Sequence, residues 1–201
     1  MNLNRCLLNS IFAVLFLFLT GCSAALEKNI VIFIGDSLVA GWDVEYYFPY
    51  LDISNLGVYG AKVNEIKINA FPDDISKSTV VSLIGTNDIG TYNGNELPVN
   101  FCQDLRTTYE GKITNSGAGR FVVISVLPRS DANASKMNLQ IIEVNTQLKE
   151  MTNDIPNAVF LDVYHYFTDK NGLLDDNYSA DGVHLNSFGY DLLSAKLSAV
   201  L

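Results

Sequence analysis

The chain has 201 residues, of which 48% are hydrophobic and 17% charged, a balance typical of one globular domain with a substantial core. Its formal net charge of -9 disfavours nucleic acid as a partner, because binding to phosphates depends mainly on Lys and Arg. Internal repeats and low-complexity runs are absent, so neither a repeat architecture nor a disordered tail is expected.

The first residues differ in kind from the rest. Arg5 precedes an uninterrupted apolar run from Ile11 to Leu19, which is shorter than the ~20 residues that a membrane-spanning helix needs. Such a run is typical of a secretory signal peptide, and an ordinary cleaved signal is one interpretation of it. The run ends in the letters LTGC, which resemble the lipobox of bacterial lipoproteins, with Cys22 as its cysteine.

This resemblance implies that residues 1–21 are a lipoprotein signal peptide and that Cys22 is acylated after cleavage. Several acyl chains on one cysteine would hold the protein stably at a membrane of the cell envelope. Ser23 follows in place of Asp, which favours the outer membrane if the host has two membranes. Residues 22–28 would then be a tether, and residues 29–201 a single domain.

Five apolar runs are predicted as strands, and the longer amphipathic stretches between them are predicted as helices. The predicted strands are Ile30–Ile34, a weaker one at Leu51–Ser54, Thr79–Ile84, Phe121–Leu127 and Ala158–Val163. The predicted helices are Ala61–Ala70, Val99–Lys112, Lys136–Met151 and the C-terminal stretch Ser187–Leu201. Apolar strands that alternate with helices predict a mostly parallel sheet covered on both faces, a three-layer α/β/α sandwich.

Residues with catalytic chemistry follow four of the predicted strands. Loops beyond the carboxyl ends of parallel strands meet along one rim, and function collects there. In chain order these loops contain Ser37, then Gly57, then Asn87, and finally Asp181 with His184. The sequence therefore predicts that these five residues share one rim.

A serine hydroxyl needs a neighbouring base to act as a nucleophile, normally an imidazole that a carboxylate orients. Both histidines follow an aspartate by three residues, so spacing alone does not separate His165 from His184. His165 lies among aromatic residues at the end of the last predicted strand, which suits a packed histidine. His184 lies in a loop between Asp181 and the final helix, and a loop histidine held at both ends is the better base.

Four blocks carry these residues in order, namely IGDSLVAGW, SNLGVYGAKV, SLIGTNDIG and DGVHLNSFGY. They resemble the SGNH family of GDSL-type esterases and lipases, which is named for Ser, Gly, Asn and His in four separated blocks. The resemblance extends from Ile34 to Tyr190. It implies a flavodoxin-like fold with about five strands, and hydrolysis of a carboxylic ester through an acyl-enzyme without a cofactor.

Carried over residue by residue, the resemblance makes Ser37 the nucleophile, His184 the general base and Asp181 the carboxylate that orients it. The oxyanion hole would consist of the backbone N–H groups of Ser37 and Gly57 and the side-chain amide of Asn87.

Three other residues receive supporting roles. The resemblance implies that Asp36 and Asp88 hold the first and third blocks in place by hydrogen bonds. Trp42, which follows the nucleophile closely, could stack on a sugar ring or an acyl chain, with packing over the sheet as the alternative.

Other chemistries fit the sequence less well. Ser37 lacks the G-x-S-x-G pattern of the α/β-hydrolase elbow, and two histidines lack the clustered spacing of a zinc site.

The substrate stays open among acylated carbohydrates, lysophospholipids and other short acyl esters. A polysaccharide O-acyltransferase with the same triad is the alternative, whereas an inactive binding lipoprotein would have lost a triad or oxyanion residue, and none is lost.

Overall fold

A computed structural model describes residues 30–65, 77–91, 101–109 and 119–201 of the chain. Its sheet has five strands, all parallel, in the order β2-β1-β3-β4-β5. The strands are β1 Ile30–Gly35, β2 Asp52–Gly57, β3 Thr79–Leu83, β4 Arg120–Ile124 and β5 Ala158–Leu161. This order confirms the predicted α/β fold with a parallel sheet of five strands.

Helices alternate with the strands. They are α1 Ser37–Ala40, α2 Val44–Tyr47, α3 Thr86–Thr91, α4 Phe101–Tyr109, α5 Ala134–Asn153 and α6 Ser187–Ser198. Short 3-10 helices lie at Val63–Glu65 and Tyr164–Tyr166. Within these ranges, no helix is both long enough and apolar enough to cross a membrane.

The central strands of the sheet are buried on both faces. Alternate residues of each strand point to opposite sides and join two separate core clusters. On one side they pack mainly against α5, in a cluster that includes Ile32, Ile34, Val80, Val123, Ile141 and Leu148. On the other side they pack against α1 and α6, in a cluster that includes Val31, Phe33, Val81, Leu38, Leu193 and Leu197. The central strands are therefore predominantly apolar, as is typical of a parallel sheet between two helical layers.

The final helix is fixed to the segment after β1 by polar contacts. The Tyr190 hydroxyl donates to Leu38 O at 2.9 Å, and the Trp42 Nε1–H donates to Ser194 Oγ at 3.0 Å. The Tyr47 hydroxyl donates to a carboxylate oxygen of α6 as well. Helix α6 thus docks on α1 and α2 through specific hydrogen bonds in addition to apolar packing.

Several predicted boundaries need correction. Strands β4 and β5 end before the predicted limits of Leu127 and Val163, since the apolar residues beyond them are buried in loops without pairing. The predicted helix Ala61–Ala70 contains only the 3-10 turn Val63–Glu65 within the described part, and residues 66–76 lie outside it. Residues 1–29, which contain the predicted signal peptide and tether, also lie outside it.

Helix α1 begins directly after β1 at a buried carboxyl group. Asp36 is 0% exposed, and its Oδ1 accepts a hydrogen bond from Leu38 N at 2.9 Å, which caps the helix. Burial raises the pKa of Asp36 from its ordinary 3.8 to about 7, against the opposing effect of the Leu38 hydrogen bond. The folded protein therefore binds this proton more tightly than the unfolded chain.

This difference makes the stability of the fold depend on pH. Because the folded-state pKa is raised, the stabilisation present below pH ~4 is lost as the pH rises towards 7. Asp36→Asn keeps an oxygen for Leu38 N but removes the titration. Between pH 4 and 7 its free energy of unfolding should fall less than that of the native protein, by on the order of 1–4 kcal/mol.

Urea denaturation of both proteins at a series of pH values measures this effect. Identical pH dependence of the two unfolding free energies would contradict it.

Candidate active site

The register of the sheet brings the ends of three strands together. Gly35 at the end of β1 pairs with Gly57 on one side and with Leu83 on the other. Two residues after β1 the chain reaches Ser37, and four residues after β3 it reaches Asn87. Both side chains therefore start from the carboxyl edge of the sheet, as the sequence predicts.

A chain of two hydrogen bonds links Ser37, His184 and Asp181. Ser37 Oγ lies 2.9 Å from His184 Nε2, although the two residues are 147 positions apart. His184 Nδ1 lies 2.7 Å from Asp181 Oδ2. In the tautomer whose Nδ1–H donates to Asp181, Nε2 accepts the serine hydroxyl, which is the arrangement that a general base needs.

This group lies partly in solvent. Ser37 is 6% exposed, whereas the side chains of His184 and Asp181 are 50% and 55% exposed. Water can therefore reach the imidazole from outside, while little of Ser37 is accessible.

The second oxygen of Asp181 fixes the loop that carries His184. Oδ1 accepts from His184 N at 2.7 Å and from Val183 N at 2.9 Å. Partial burial alone would raise the pKa of Asp181, but hydrogen bonds from the His184 side chain and from these two N–H groups outweigh it and hold that pKa below its usual range. Asp181 is therefore an ionised carboxylate at neutral pH.

Gly182 makes the tight turn between these two residues possible. Its φ of +81° lies in the left-handed region, and a Cβ there would be 2.6 Å from Asp131 N. The Gly182 carbonyl accepts from Ser130 N at 2.9 Å. A side chain at this position would displace the loop on which Asp181 and His184 lie.

The other histidine lies elsewhere. The His165 ring packs edge-on against Tyr164 with centroids 5.3 Å apart, and it lines a cavity of about 250 Å³ together with residues of α5 and β5. Asp162 Oδ1 accepts from Tyr164 N at 3.3 Å. The Asp162–His165 pair therefore does not reproduce the contacts of Asp181 and His184, despite the same spacing.

The expected oxyanion role of Gly57 needs correction. Its N–H donates to Asn55 Oδ1 at 3.0 Å, so that hydrogen is already bound. A Cβ on Gly57 would lie 2.3 Å from Ala40 N, which shows that glycine is required for close approach of β2 to α1. Gly60, the next glycine of the block, has a φ of +75° and open space around its Cβ position. No acceptor for its N–H is found in the described part of the chain.

Asn55 is a structural residue that sequence reasoning missed. Besides accepting from Gly57, its amide donates to Val39 O at 2.9 Å and to Trp42 O at 3.2 Å. The signal was present in the sequence, since Asn two residues before Gly is typical of a side-chain-stabilised turn. Asn55 thereby ties the end of β2 to the segment that follows the serine.

The third block is held to the second by two hydrogen bonds. The Asn87 amide donates to Ala61 O at 3.0 Å. Both carboxylate oxygens of Asp88 accept from Val63 N at 3.3 Å, and burial raises the pKa of Asp88 to about 6. Asp88 and Asp36 thus make hydrogen bonds of the kind that the resemblance implies.

The possible contact of Trp42 with substrate does not fit its burial. Trp42 is 2% exposed, and its ring packs against Phe33 and Tyr190 with centroid distances of 5.4 and 6.0 Å. The aromatic composition of this segment does not reveal which ring faces the core. Packing over the sheet, the alternative interpretation, is what the structure shows.

Metal ligation finds no support within the described ranges, where no group of three or more His, Cys, Asp or Glu side chains is arranged to hold an ion.

Solved structures from several bacteria resemble this chain. A candidate acylhydrolase from Bacteroides fragilis has 25% identity and a TM-score of 0.68, with 87% of each chain covered. A GDSL-like lipase from Bacteroides thetaiotaomicron has 22% identity and a TM-score of 0.64, with 88% of this chain and 92% of that one covered. An acetylxylan esterase from Geobacillus stearothermophilus has 18% identity and a TM-score of 0.65, with 85% of this chain and 93% of that one covered.

Sequence comparison gives a curated relative and a family. An N-acylneuraminate cytidylyltransferase from Escherichia coli O18:K1:H7 is 26% identical over 175 residues, which are 84% of this chain but 39% of that protein. The sequence model of the GDSL-like Lipase/Acylhydrolase family matches residues 33–192, most of the chain. With this match, and with the fold shared by the solved structures, the chain belongs to the GDSL-like lipase/acylhydrolase family of ester-hydrolysing enzymes.

Proposed function

We propose that this protein is a serine esterase that hydrolyses carboxylic esters through an acyl-enzyme on Ser37. The observation that carries the proposal is the continuous hydrogen-bonded chain from Ser37 Oγ through His184 to Asp181. Ser37 Oγ attacks the ester carbonyl carbon while its proton passes to His184 Nε2. The Asp181 carboxylate stabilises the imidazolium that forms.

The remaining steps use the same groups in reverse. The tetrahedral intermediate expels the alcohol, which takes the proton from His184 Nε2, and the acyl group stays on Ser37. A water molecule then attacks the acyl carbon after giving a proton to the imidazole, and the carboxylic acid leaves as Ser37 regains its proton. The half-exposed imidazole favours water over a bound sugar hydroxyl, and hence hydrolysis over acyl transfer.

We assign the oxyanion donors differently from the expectation based on sequence. The backbone N–H of Ser37 and the side-chain amide of Asn87, which also donates to Ala61 O at 3.0 Å, keep their proposed roles. Gly60 replaces Gly57 as a donor. It follows β2 by three residues, and its N–H has no acceptor within the described part of the chain.

Among ester classes, the surface beside Ser37 favours an acylated carbohydrate. The Tyr59 ring is 73% exposed, and its hydroxyl lies 3.9 Å from the Cβ position of Gly41. Gly41 N donates to Ser37 O at 2.9 Å, so Tyr59 reaches within one helical turn of the proposed nucleophile. An exposed aromatic ring with a hydroxyl group can pack on a sugar ring and also hydrogen-bond to it.

The charges near the site disfavour a phospholipid. The Asp181 carboxylate is exposed at the site, in a chain whose net charge is -9. A lysophospholipid carries an anionic phosphate, which such a surface repels. The Geobacillus enzyme of the same fold is described as an acetyl-xylooligosaccharide esterase, which agrees with a carbohydrate substrate.

Replacement of the proposed nucleophile and base tests the mechanism. Ser37→Ala and His184→Ala should each lower kcat/KM for p-nitrophenyl acetate by about 10³-fold or more, because acyl transfer loses its nucleophile or its base. His165→Ala is the matched control and should stay within about twofold of the native enzyme. Steady-state hydrolysis with thermal unfolding of each variant provides the measurement; full activity in Ser37→Ala would refute the assignment.

A substitution at Tyr59 tests the substrate class. Tyr59→Ala should lower kcat/KM for an acetylated neutral oligosaccharide by about 5- to 30-fold, the loss of one stacking contact, and leave p-nitrophenyl acetate hydrolysis within about twofold. Tyr166→Ala is the control, since Tyr166 is 53% exposed and contacts Lys196, about 14 Å along α6 from its start. Faster turnover of a lysophospholipid than of the oligosaccharide would overturn the carbohydrate assignment.

We also propose that the protein is anchored at the bacterial cell envelope through a lipidated Cys22. The support is the sequence LTGC after a short apolar run, which ends before the described residues begin. Cys22→Ala should move the protein from the membrane fraction to the soluble fraction, whereas Cys102→Ala should leave it at the membrane. Immunoblots of fractionated cells measure the distribution, and a Cys22→Ala protein that stays with membranes would argue against lipidation.

A further inference from the structure

One nearly buried charged side chain lies between the two loops of the proposed site and has no part in the reaction described above. Arg129 follows β4, and its side chain is only 11% exposed. Nε donates to Asp131 Oδ1 at 2.8 Å, and Nη2 donates to Asp131 Oδ2. Nη1 donates to both the carbonyl and the hydroxyl oxygen of Thr86, at 3.1 and 3.2 Å.

The Thr86 end of this network carries the proposed oxyanion amide. Thr86 is the first residue of α3, and Asn87 follows it directly. A Cβ on Gly90, one turn further along α3, would lie 2.9 Å from Arg129 Nη1. The guanidinium therefore rests on the surface of α3 where that helix has no side chain.

The Asp131 end supports the loop that carries the base. The Cβ position of Gly182 lies 2.6 Å from Asp131 N, and Ser130 N donates to Gly182 O at 2.9 Å. Gly182 lies between Asp181 and His184. Any displacement of the segment 130–131 is therefore passed directly to the imidazole and its carboxylate.

The backbone of Arg129 is itself fixed to the longest helix. Asn138 of α5 is 5% exposed, and its Oδ1 accepts from Arg129 N at 2.9 Å. Its Nδ2 donates to Arg129 O at the same distance. The guanidinium thus projects from a backbone segment that two hydrogen bonds fix to α5.

We propose that Arg129 is a positioning residue that sets the distance between the Asn87 amide and the His184 imidazole. This rests on the proposed function of both groups. A planar guanidinium can bind a carboxylate with two N–H groups and a carbonyl with a third, which the single ammonium of lysine cannot do in one geometry. Misplacement of a reacting group by ~1 Å costs up to about 10²-fold in rate, so a spacer of this kind affects kcat.

Gly90→Ala is the sharpest test, because it displaces the guanidinium without removing any group of the network. The higher helix propensity of alanine offsets part of the loss of the Nη1–Thr86 hydrogen bonds, so the melting temperature should change by only a few degrees. We expect kcat for p-nitrophenyl acetate to fall by about 5- to 50-fold, with KM changed less than about threefold. A loss of activity with so small a change in stability is not what a purely structural role of Arg129 would produce.

Substitutions at Arg129 itself provide the second test. Arg129→Met should lower kcat by about 10- to 100-fold at temperatures well below its melting point, and Arg129→Lys should recover only part of this loss. The matched control is Arg106→Met, since Arg106 forms an ion pair with Asp154 at 3.7 Å and is not part of the network. Its kcat should equal that of the native enzyme.

The outcomes separate this proposal from the proposed function. Native activity that Ser37→Ala abolishes supports the esterase mechanism whatever the Arg129 variants do. Wild-type kcat in Gly90→Ala together with wild-type kcat in Arg129→Lys would overturn the positioning role. If Arg129→Met fails to fold, Gly90→Ala and Arg129→Lys still decide between the two results.

Discussion

The hydrogen bond between Ser37 Oγ and His184 Nε2 is the contact that the rest of the site serves. Its partners are 147 positions apart in the chain, so each must be fixed by its own surroundings before the 2.9 Å distance can be maintained. On the serine side, a buried Asp36 caps α1, and Asn55 ties α1 to the neighbouring strand. On the histidine side, one carboxylate oxygen holds the ring and the other holds the backbone. The geometry is therefore a property of the scaffold as much as of the two side chains.

The parts of this arrangement that follow from hydrophobic pattern and chain order were predictable from the sequence. Apolar runs locate all five strands, and the rule for parallel sheets places Ser37 and Asn87 on one rim. The hydrophobic pattern does not reveal where the hydrogen bonding between strands stops, so the predicted ends of β4 and β5 were too late. Nor does composition show whether an aromatic ring faces the core or the solvent. Trp42, for example, is a core residue.

Hydrogen bonds of individual backbone groups were the least predictable feature. The second block contains two glycines, and the sequence led us to expect the first, Gly57, as an oxyanion donor; the structure shows that Asn55 already accepts from its N–H. The two Asp-x-x-His sequences differ for a similar reason. Asp162 accepts from Tyr164 N, whereas Asp181 meets both the ring and the backbone of His184, and the left-handed Gly182 between them permits this. Identical spacing thus gave different geometry because the intervening backbone differs.

The docking of α6 has a consequence for the order in which the protein matures. Three side-chain hydrogen bonds join this last helix to the segment just after β1, so residues from near both ends of the domain must meet before His184 reaches Ser37. Each of these bonds joins residues at least 144 positions apart, so none of them can form before the final helix has been synthesised. In a polypeptide that is still being synthesised, the Ser37 hydroxyl and the His184 imidazole therefore have not yet met. The Ser37–His184 contact is therefore a mark of the fully assembled domain.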